Sequence, residues 1–223
     1  MNYTLIRSNR KTTALYIRNG IVEVRAPHKM PKSEIEKFLI KNEDWIIPEL
    51  QKSQALQAKR DSFALDYGDT LSYRGKACEI VPKEGDYVGY DDDKFFMPPN
   101  MSAEQIKEAS IQIYRMLAKN YLPKRTMELA KIMKLTPSVV KINGAKKRWG
   151  SCSSQKNINF SWRLMMASDE VIDYVIVHEL AHLAEMNHSS RFWAIVEKYV
   201  PDHNDHRASL SKLHRQLATE NWD

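Results

Sequence analysis

Residues 168–188 read SDEVIDYVIVHELAHLAEMNH. After a polar first turn the stretch is apolar almost all round, which predicts a helix buried on most of its surface. His178 and His182 are four residues apart, and residues at this spacing share one face of a helix. Their imidazoles can therefore bind one metal ion, with the Glu179 carboxylate beside it. This H-E-x-x-H pattern is typical of zinc hydrolases, in which the histidines bind zinc and the glutamate is the general base.

A third histidine, His188, follows the predicted helix and is our candidate for the third zinc ligand. Two histidines on a buried helix can instead be ordinary core residues that hydrogen-bond to their neighbours. The spacing of the pair, the glutamate between them and the nearby third histidine favour the metal site. We predict that the later histidines, His203, His206 and His214, lie at the surface.

The composition is that of an ordinary soluble globular protein, with 43% hydrophobic and 28% charged residues in a chain of 223. No apolar run is long enough to predict a membrane-spanning helix, and the first residues lack the apolar stretch of a signal peptide. The two cysteines, Cys78 and Cys152, are too few for a disulfide framework and fit a reducing compartment. We therefore expect a cytoplasmic location.

The formal net charge of +6 is unevenly distributed along the chain. A basic segment lies between residues 124 and 148, where Glu128 is the single acidic residue. Such clusters bind nucleic acid in some proteins and form a solvated surface in others, so DNA is one candidate partner. The cations of this segment are Lys124, Arg125, Lys131, Lys134, Lys141, Lys146, Lys147 and Arg148.

The apolar pattern changes from strands to helices near residue 100, which predicts an α+β fold. We predict a β-rich N-terminal lobe with one helix in residues 1–100 and a metallohydrolase domain in residues 101–223. Strands are expected at 3–8, 12–18, 21–27, 138–142 and 157–162, and helices at 102–120 and 123–134.

Local signals predict where elements begin and end. Asn19-Gly20, between two strand-like runs, indicates a type I′ hairpin turn. Ser33 and Glu36 have the spacing of a capping box, which predicts the start of a helix whose apolar stripe includes Trp45. Pro48 is expected to kink or end that helix.

Four segments together resemble the YgjP-like zinc metallopeptidase family, which is related to the WLM and SprT-like zincins. They are RWGSC (148–152), NINF (157–160), HELAHLAEMNHSSRFW (178–193) and VPD (200–202). The resemblance implies a zincin-like catalytic domain that hydrolyses peptide bonds with a metal-activated water. It also implies that His178, His182 and His188 bind Zn²⁺ and that Glu179 is the catalytic base.

The chain differs from the metzincins, although the spacing of its histidines is the same. Glu185 stands where their motif has glycine, and no later methionine follows Met186 to form their Met-turn. We predict that Asn187 makes the turn before His188, because asparagine tolerates the left-handed conformation found at helix ends.

Residues 157–162 alternate polar and apolar side chains directly before the predicted metal helix. We predict an edge strand here, to which an extended peptide adds by β-augmentation. Trp149 can line the site or, like Phe160, belong to the core, and Arg191 and Tyr199 are candidates for the oxyanion donor. The candidate substrate-binding residues are Trp149, Asn157, Asn159 and Arg191.

Two other functions stay open at this point. A metal-dependent phosphohydrolase acting on nucleotides could use the basic segment to hold phosphates, although the sequence has no glycine-rich phosphate loop. A DNA-binding module with a structural zinc would need Cys152 as a fourth ligand, because structural sites have four protein ligands. Cleavage of denatured casein or of nucleoside triphosphates would distinguish these functions.

Overall fold

Three small β-sheets and six α-helices form residues 2–222, which are the residues that the computed structural model describes. The predicted α+β class is therefore confirmed. The chain divides into two units, one of residues 2–63 and 216–221 and the other of residues 64–215 and 222. Residues 64–100 thus group with the second unit, and the proposed domain boundary near residue 100 stays a prediction.

The first unit has a three-stranded sheet and two helices. Its central strand pairs in parallel with the first strand and antiparallel with the second. Asn19 and Gly20 both have positive φ angles, 50° and 73°, as the predicted type I′ turn requires. The elements are β1 (Tyr3–Ser8), β2 (Ala14–Arg18), β3 (Ile21–Pro27), α1 (Lys32–Lys41) and α2 (Glu43–Asp61). The core of this unit is formed by Val22, Val24, Ala26, Ile35, Leu39 and Ile46.

Two predictions for these helices are wrong. The start of α1 has no side-chain cap, because the helix begins at Lys32 behind Pro31 rather than at the expected capping box. Trp45 is 50% exposed, and Ile46 beside it is buried instead. Pro48 lies inside α2, which continues to Asp61. Pro48 lies on an exposed part of α2, where water can hydrogen-bond the backbone carbonyl that the proline leaves without a partner.

The second unit contains the two remaining sheets and most of the helical residues. In its four-stranded sheet the order is β4-β5-β7-β6, and in its three-stranded sheet it is β8-β10-β9. A 3₁₀ turn at Trp162–Met166 joins the second of these sheets to the helix that follows. No helix between residues 2 and 222 is both long and apolar enough to cross a membrane.

The strands of this unit are β4 (Thr70–Tyr73), β5 (Lys76–Pro82), β6 (Gly89–Asp91), β7 (Lys94–Met97), β8 (Val139–Asn143), β9 (Gly150–Cys152) and β10 (Asn157–Ser161). The helices are α3 (Ala103–Met133), α4 (Asp169–Ala181), α5 (Ser190–Tyr199) and α6 (His203–Ala218).

One continuous helix of 31 residues, α3, replaces the two helices predicted around Pro123. It begins as expected at Ser102, whose side chain accepts a hydrogen bond from the Gln105 backbone N–H. Its buried face continues past the proline from Leu122 to Thr126, so packing favours one continuous helix over a break. Lys119, whose carbonyl loses its partner at Pro123, is exposed and can be hydrated.

The strand expected at a sheet edge, β10, is the central strand of its sheet. It pairs in parallel with β8 and antiparallel with β9. The prediction of an edge strand at residues 157–162 is therefore wrong. The reason is that Gly150–Cys152, where no strand was predicted, form the third strand and take the edge position.

Candidate metal centre

The H-E-x-x-H residues lie at the end of α4, as predicted. The helix is buried on most of its surface, with Ile172, Ile176 and Leu180 fully enclosed. His178 and Glu179 occupy its last turn, and His182 is the residue that caps it. The sequence pattern therefore predicted both the helix and its burial correctly.

His188 returns to the end of α4 through a short turn. The helix ends in backbone hydrogen bonds between residues three apart, as in a 3₁₀ turn. One example is the bond from the Leu183 N–H to the Leu180 carbonyl, at 2.9 Å. Asn187 is not among the residues with positive φ, so the predicted left-handed turn at this position is wrong. Ser189 then caps α5 by accepting a hydrogen bond from the Phe192 backbone N–H.

The three histidines converge on one point. One ligand atom from each lies within 4.8 Å of those of the other two, and Nε2 of His178 is 3.1 Å from Nε2 of His188. Two nitrogens bound to one tetrahedral zinc at the usual bond lengths would be about 3.3 Å apart. The spacing of the rings thus fits a zinc ion.

The protonation of the rings also fits a metal. Nδ1 of His182 is 3.2 Å from the Glu185 carbonyl, which can only accept, so this nitrogen carries the hydrogen and Nε2 is left with its lone pair. Burial, together with His182 and His188, lowers the pKa of His178 to about 3. Burial also lowers the pKa of His182. Neutral imidazole, the form that binds metal, is therefore favoured.

Phe192 packs against all three histidines, with ring centroids 4.9 Å from His178, 4.5 Å from His182 and 4.7 Å from His188. This phenylalanine is fully buried on α5. Nδ1 of His178 is itself buried and finds no hydrogen-bond partner in residues 2–222. At the Nδ1 side of this ring, packing against neighbouring rings such as Phe192 therefore takes the place of a hydrogen bond.

Glu179 directly follows His178 on α4 and is only 6% exposed. Burial raises the pKa of its carboxyl group to about 8, and the positive charge of Arg148 acts in the opposite direction. A divalent cation held by the histidines would also oppose the increase. Arg148 belongs to the RWGSC segment, but its sequence position alone did not indicate that it lies near this carboxylate.

Residues of α6 form an outer layer around the site that the sequence did not reveal. His203 stacks on Trp193 with ring centroids 5.3 Å apart, and Trp193 lies 5.9 Å from His178. Arg207 is 5.2 Å from the centroid of the Trp193 ring. His203 and His206 are partly buried because the first turns of α6 pack against α4 and α5, so their predicted surface position is wrong, whereas His214 is exposed.

Three candidate substrate residues lie on neighbouring paired segments, Trp149 directly before β9 and Asn157 and Asn159 on β10, whereas Arg191 lies on α5. Trp149 is partly buried, and its ring lies 6.4 Å from that of His214. Asn157 and Asn159 are on β10, which is the central strand of its sheet. Their predicted role required an edge strand, and β10 is not one. Arg191 is exposed in the first turn of α5. The part that these residues play in substrate binding stays a prediction.

The metal-binding group of residues 2–222 contains the three histidines and not Cys152. Burial raises the pKa of the Cys152 thiol, and the negative charge of Glu179 adds a smaller increase. The cysteine is therefore close enough to Glu179 to sense its charge. Three protein ligands leave a zinc ion with an open position, which is the arrangement of catalytic rather than structural sites. The donor set therefore disfavours the structural-zinc alternative.

Comparison with known proteins identifies the family. The family model described as YgjP-like, metallopeptidase domain, matches residues 11–213. No curated protein sequence matches the chain.

Two crystal structures of metallopeptidase zymogens are similar to parts of the chain. Pyrococcus abyssi abylysin is 24% identical over 44% of this chain and 97% of its own, with a TM-score of 0.38. Methanocaldococcus jannaschii jannalysin is 21% identical over 43% of this chain and 96% of its own, with a TM-score of 0.37. The family model covers most of the chain, and the chain is a zinc metallopeptidase of the YgjP-like family.

Proposed function

We propose that His178, His182 and His188 hold the zinc ion and that Glu179 is the general base in peptide-bond hydrolysis. The observation that carries this proposal is the convergence of one nitrogen from each histidine within 4.8 Å, at the end of the helix that also carries the buried Glu179. Zinc, when bound, supplies a Lewis acid that lowers the pKa of water and polarises a carbonyl group.

Glu179 has the properties that proton transfer requires. Its carboxylate oxygen accepts the proton of the attacking water and then delivers it to the nitrogen of the leaving amine. Its low exposure keeps bulk water away from this proton. The lowered pKa values of His178 and His182 favour their neutral form, so these two rings bear no proton of the reaction.

The edge strand β9 supports an extended peptide as the substrate. The Ser161 N–H donates to the Trp149 carbonyl at 2.8 Å, and the Ser153 N–H donates to the Asn157 carbonyl at 3.0 Å. Residues of an antiparallel pair alternate between those bonded to the partner strand and those pointing away from it. Gly150 and Cys152 therefore point their backbone groups away from β10, where they can pair with a peptide.

The ligand assignment predicts the result of removing the third histidine. Wild-type protein should contain about one zinc per chain, and His188→Ala should retain much less, because two imidazoles bind zinc more weakly than three. Metal analysis of the purified proteins measures this, together with cleavage of denatured casein. His28→Ala removes an exposed histidine of the first unit and should change neither quantity. Full zinc retention in His188→Ala would mean that the third ligand is another residue.

DNA binding stays a prediction, as does the cytoplasmic location. Lys146 and Lys147 are exposed in the segment before β9. If the exposed lysines contact phosphates, the affinity for duplex DNA should fall with salt, and each contact should contribute about 0.9 to the slope of log affinity against log salt concentration.

The double variant Lys146→Ala/Lys147→Ala tests this interpretation. It should reduce the slope by up to about 2. The matched control Lys32→Ala/Lys37→Ala removes two exposed lysines of α1 and should leave the slope unchanged. Lack of any binding by the wild-type protein at low ionic strength would exclude DNA as a partner.

A further inference from the structure

Gly150 lies where β9 passes the side chain of Glu179. A Cβ atom added to this glycine would be 2.6 Å from Oε1, 2.7 Å from Cγ and 2.8 Å from Cδ of Glu179. Non-bonded heavy atoms pack best at about 3.5–4.0 Å, so all three contacts would be strongly repulsive. A side chain at position 150 is therefore incompatible with the present position of the Glu179 carboxylate.

The backbone conformation of Gly150 does not itself require glycine. Its φ lies outside the left-handed region, so alanine can adopt the same backbone angles. The strand is also held in place, because Gly150 lies opposite Phe160 in the ladder with β10 and the Trp149 carbonyl accepts from Ser161. Of the two partners in the collision, the glutamate side chain from Cγ outward is the one that can move.

We propose that Gly150 is a positioning residue for the reaction, because its missing side chain provides the space in which the Glu179 carboxylate stands beside the metal. This inference rests on the proposed role of Glu179 as general base. The RWGSC segment then contributes to the site through the absence of a side chain, and not through a zinc ligand or a charged group. The edge strand of the site thus has a second role besides offering its backbone to a peptide.

The proposal predicts that Gly150→Ala lowers the catalytic rate but leaves zinc binding unchanged. In Gly150→Ala the carboxylate must shift by about 1 Å to reach an ordinary contact distance, and it can do so by rotating about its own side-chain bonds. The three histidines need not move, so zinc content should remain that of wild type. A misplacement of about 1 Å can lower a rate by on the order of 10²-fold, and we expect kcat to fall by that amount with KM little changed.

Gly144→Ala is the matched control for this substitution. An added Cβ at Gly144 would come no closer than 3.6 Å to Nε1 of Trp162, which is an ordinary contact, and its φ is likewise outside the left-handed region. The control variant should therefore keep wild-type kcat, KM and zinc content. A change of KM alone in Gly150→Ala would indicate obstruction of the peptide at β9 and would contradict the positioning role.

A double-mutant cycle with Glu179 tests whether Gly150 acts through this carboxylate. When Glu179→Gln has already removed the base, adding Gly150→Ala should cause little further loss of the residual kcat. An equal fold-loss in both backgrounds would overturn the inference. If instead Glu179→Gln leaves hydrolysis at the wild-type rate, the general-base proposal itself fails, and the two failures are thereby distinguished.

A stability measurement completes the test if Gly150→Ala folds poorly. Glu179→Ala deletes the three atoms with which the new Cβ collides, so the loss of melting temperature caused by Gly150→Ala should disappear in the Glu179→Ala background. A loss of the same size in both backgrounds would show that position 150 tolerates no side chain for another reason, and would refute the inference.

Discussion

Glu179→Gln should lower kcat for peptide hydrolysis by on the order of 10²–10⁴-fold, the usual contribution of a positioned general base. Glutamine has nearly the same size and shape as glutamate, but its amide cannot accept the proton of the attacking water. Because Glu179 is not expected to be a zinc ligand, the variant should contain as much zinc as the wild type. Metal analysis and casein cleavage on the same preparation measure both quantities.

Stability should also remain close to that of the wild type in this variant. The side chain is 6% exposed, and a neutral amide is less costly to bury than a charged carboxylate. Glu197→Gln, an exposed position on α5, is a control for the chemical change alone and should keep full activity. Undiminished hydrolysis in Glu179→Gln would refute the catalytic role of this glutamate.

His178→Ala should abolish activity and zinc binding together, which separates it from the glutamate variant. The histidine contributes one of three converging nitrogens, and its ring fills space between Phe192 and Trp193 at 4.9 and 5.9 Å. Removal of the ring leaves a void in addition to the weakened site, so the free energy of unfolding should fall by roughly 0.5–3 kcal/mol even without metal. Thermal unfolding in the presence of a chelator measures this contribution.

Wild-type protein treated with a chelator is the natural comparison for His178→Ala. Both should lack activity, but only the chelated wild type should recover it when zinc is added back. The stability that zinc itself contributes should appear in the wild type and not in the variant, because a ligand stabilises only the protein that binds it. A His178→Ala protein that recovers activity with zinc would contradict the ligand assignment.

The metal site could be predicted from the sequence because its residues lie close together along the chain. His178 and His182 are one helical turn apart, and the apolar residues around them indicate a buried helix whatever the rest of the chain does. His188 follows within the same segment. Each of these inferences needs only the geometry of a single helix and of the turn that follows it.

The parts that were missed depend on contacts between distant segments. Nothing within Gly150–Cys152 indicates a strand, because glycine and serine have little strand preference and the pairing with β10 supplies the ladder. Pro123 lies inside α3 because packing of the surrounding buried face outweighs the local rule that a proline ends a helix. The closeness of Gly150 to Glu179 likewise arises only when β9 and α4 are assembled.

The position of Phe192 has a consequence for the order in which the protein folds and takes up its metal. Formation of α4 brings His178 and His182 close together, but their rings and that of His188 all pack against Phe192, which α5 carries. The three rings are fixed only when α5 docks. Zinc should therefore bind after α5 has docked during refolding. The rate of zinc binding then measures the rate at which α5 docks.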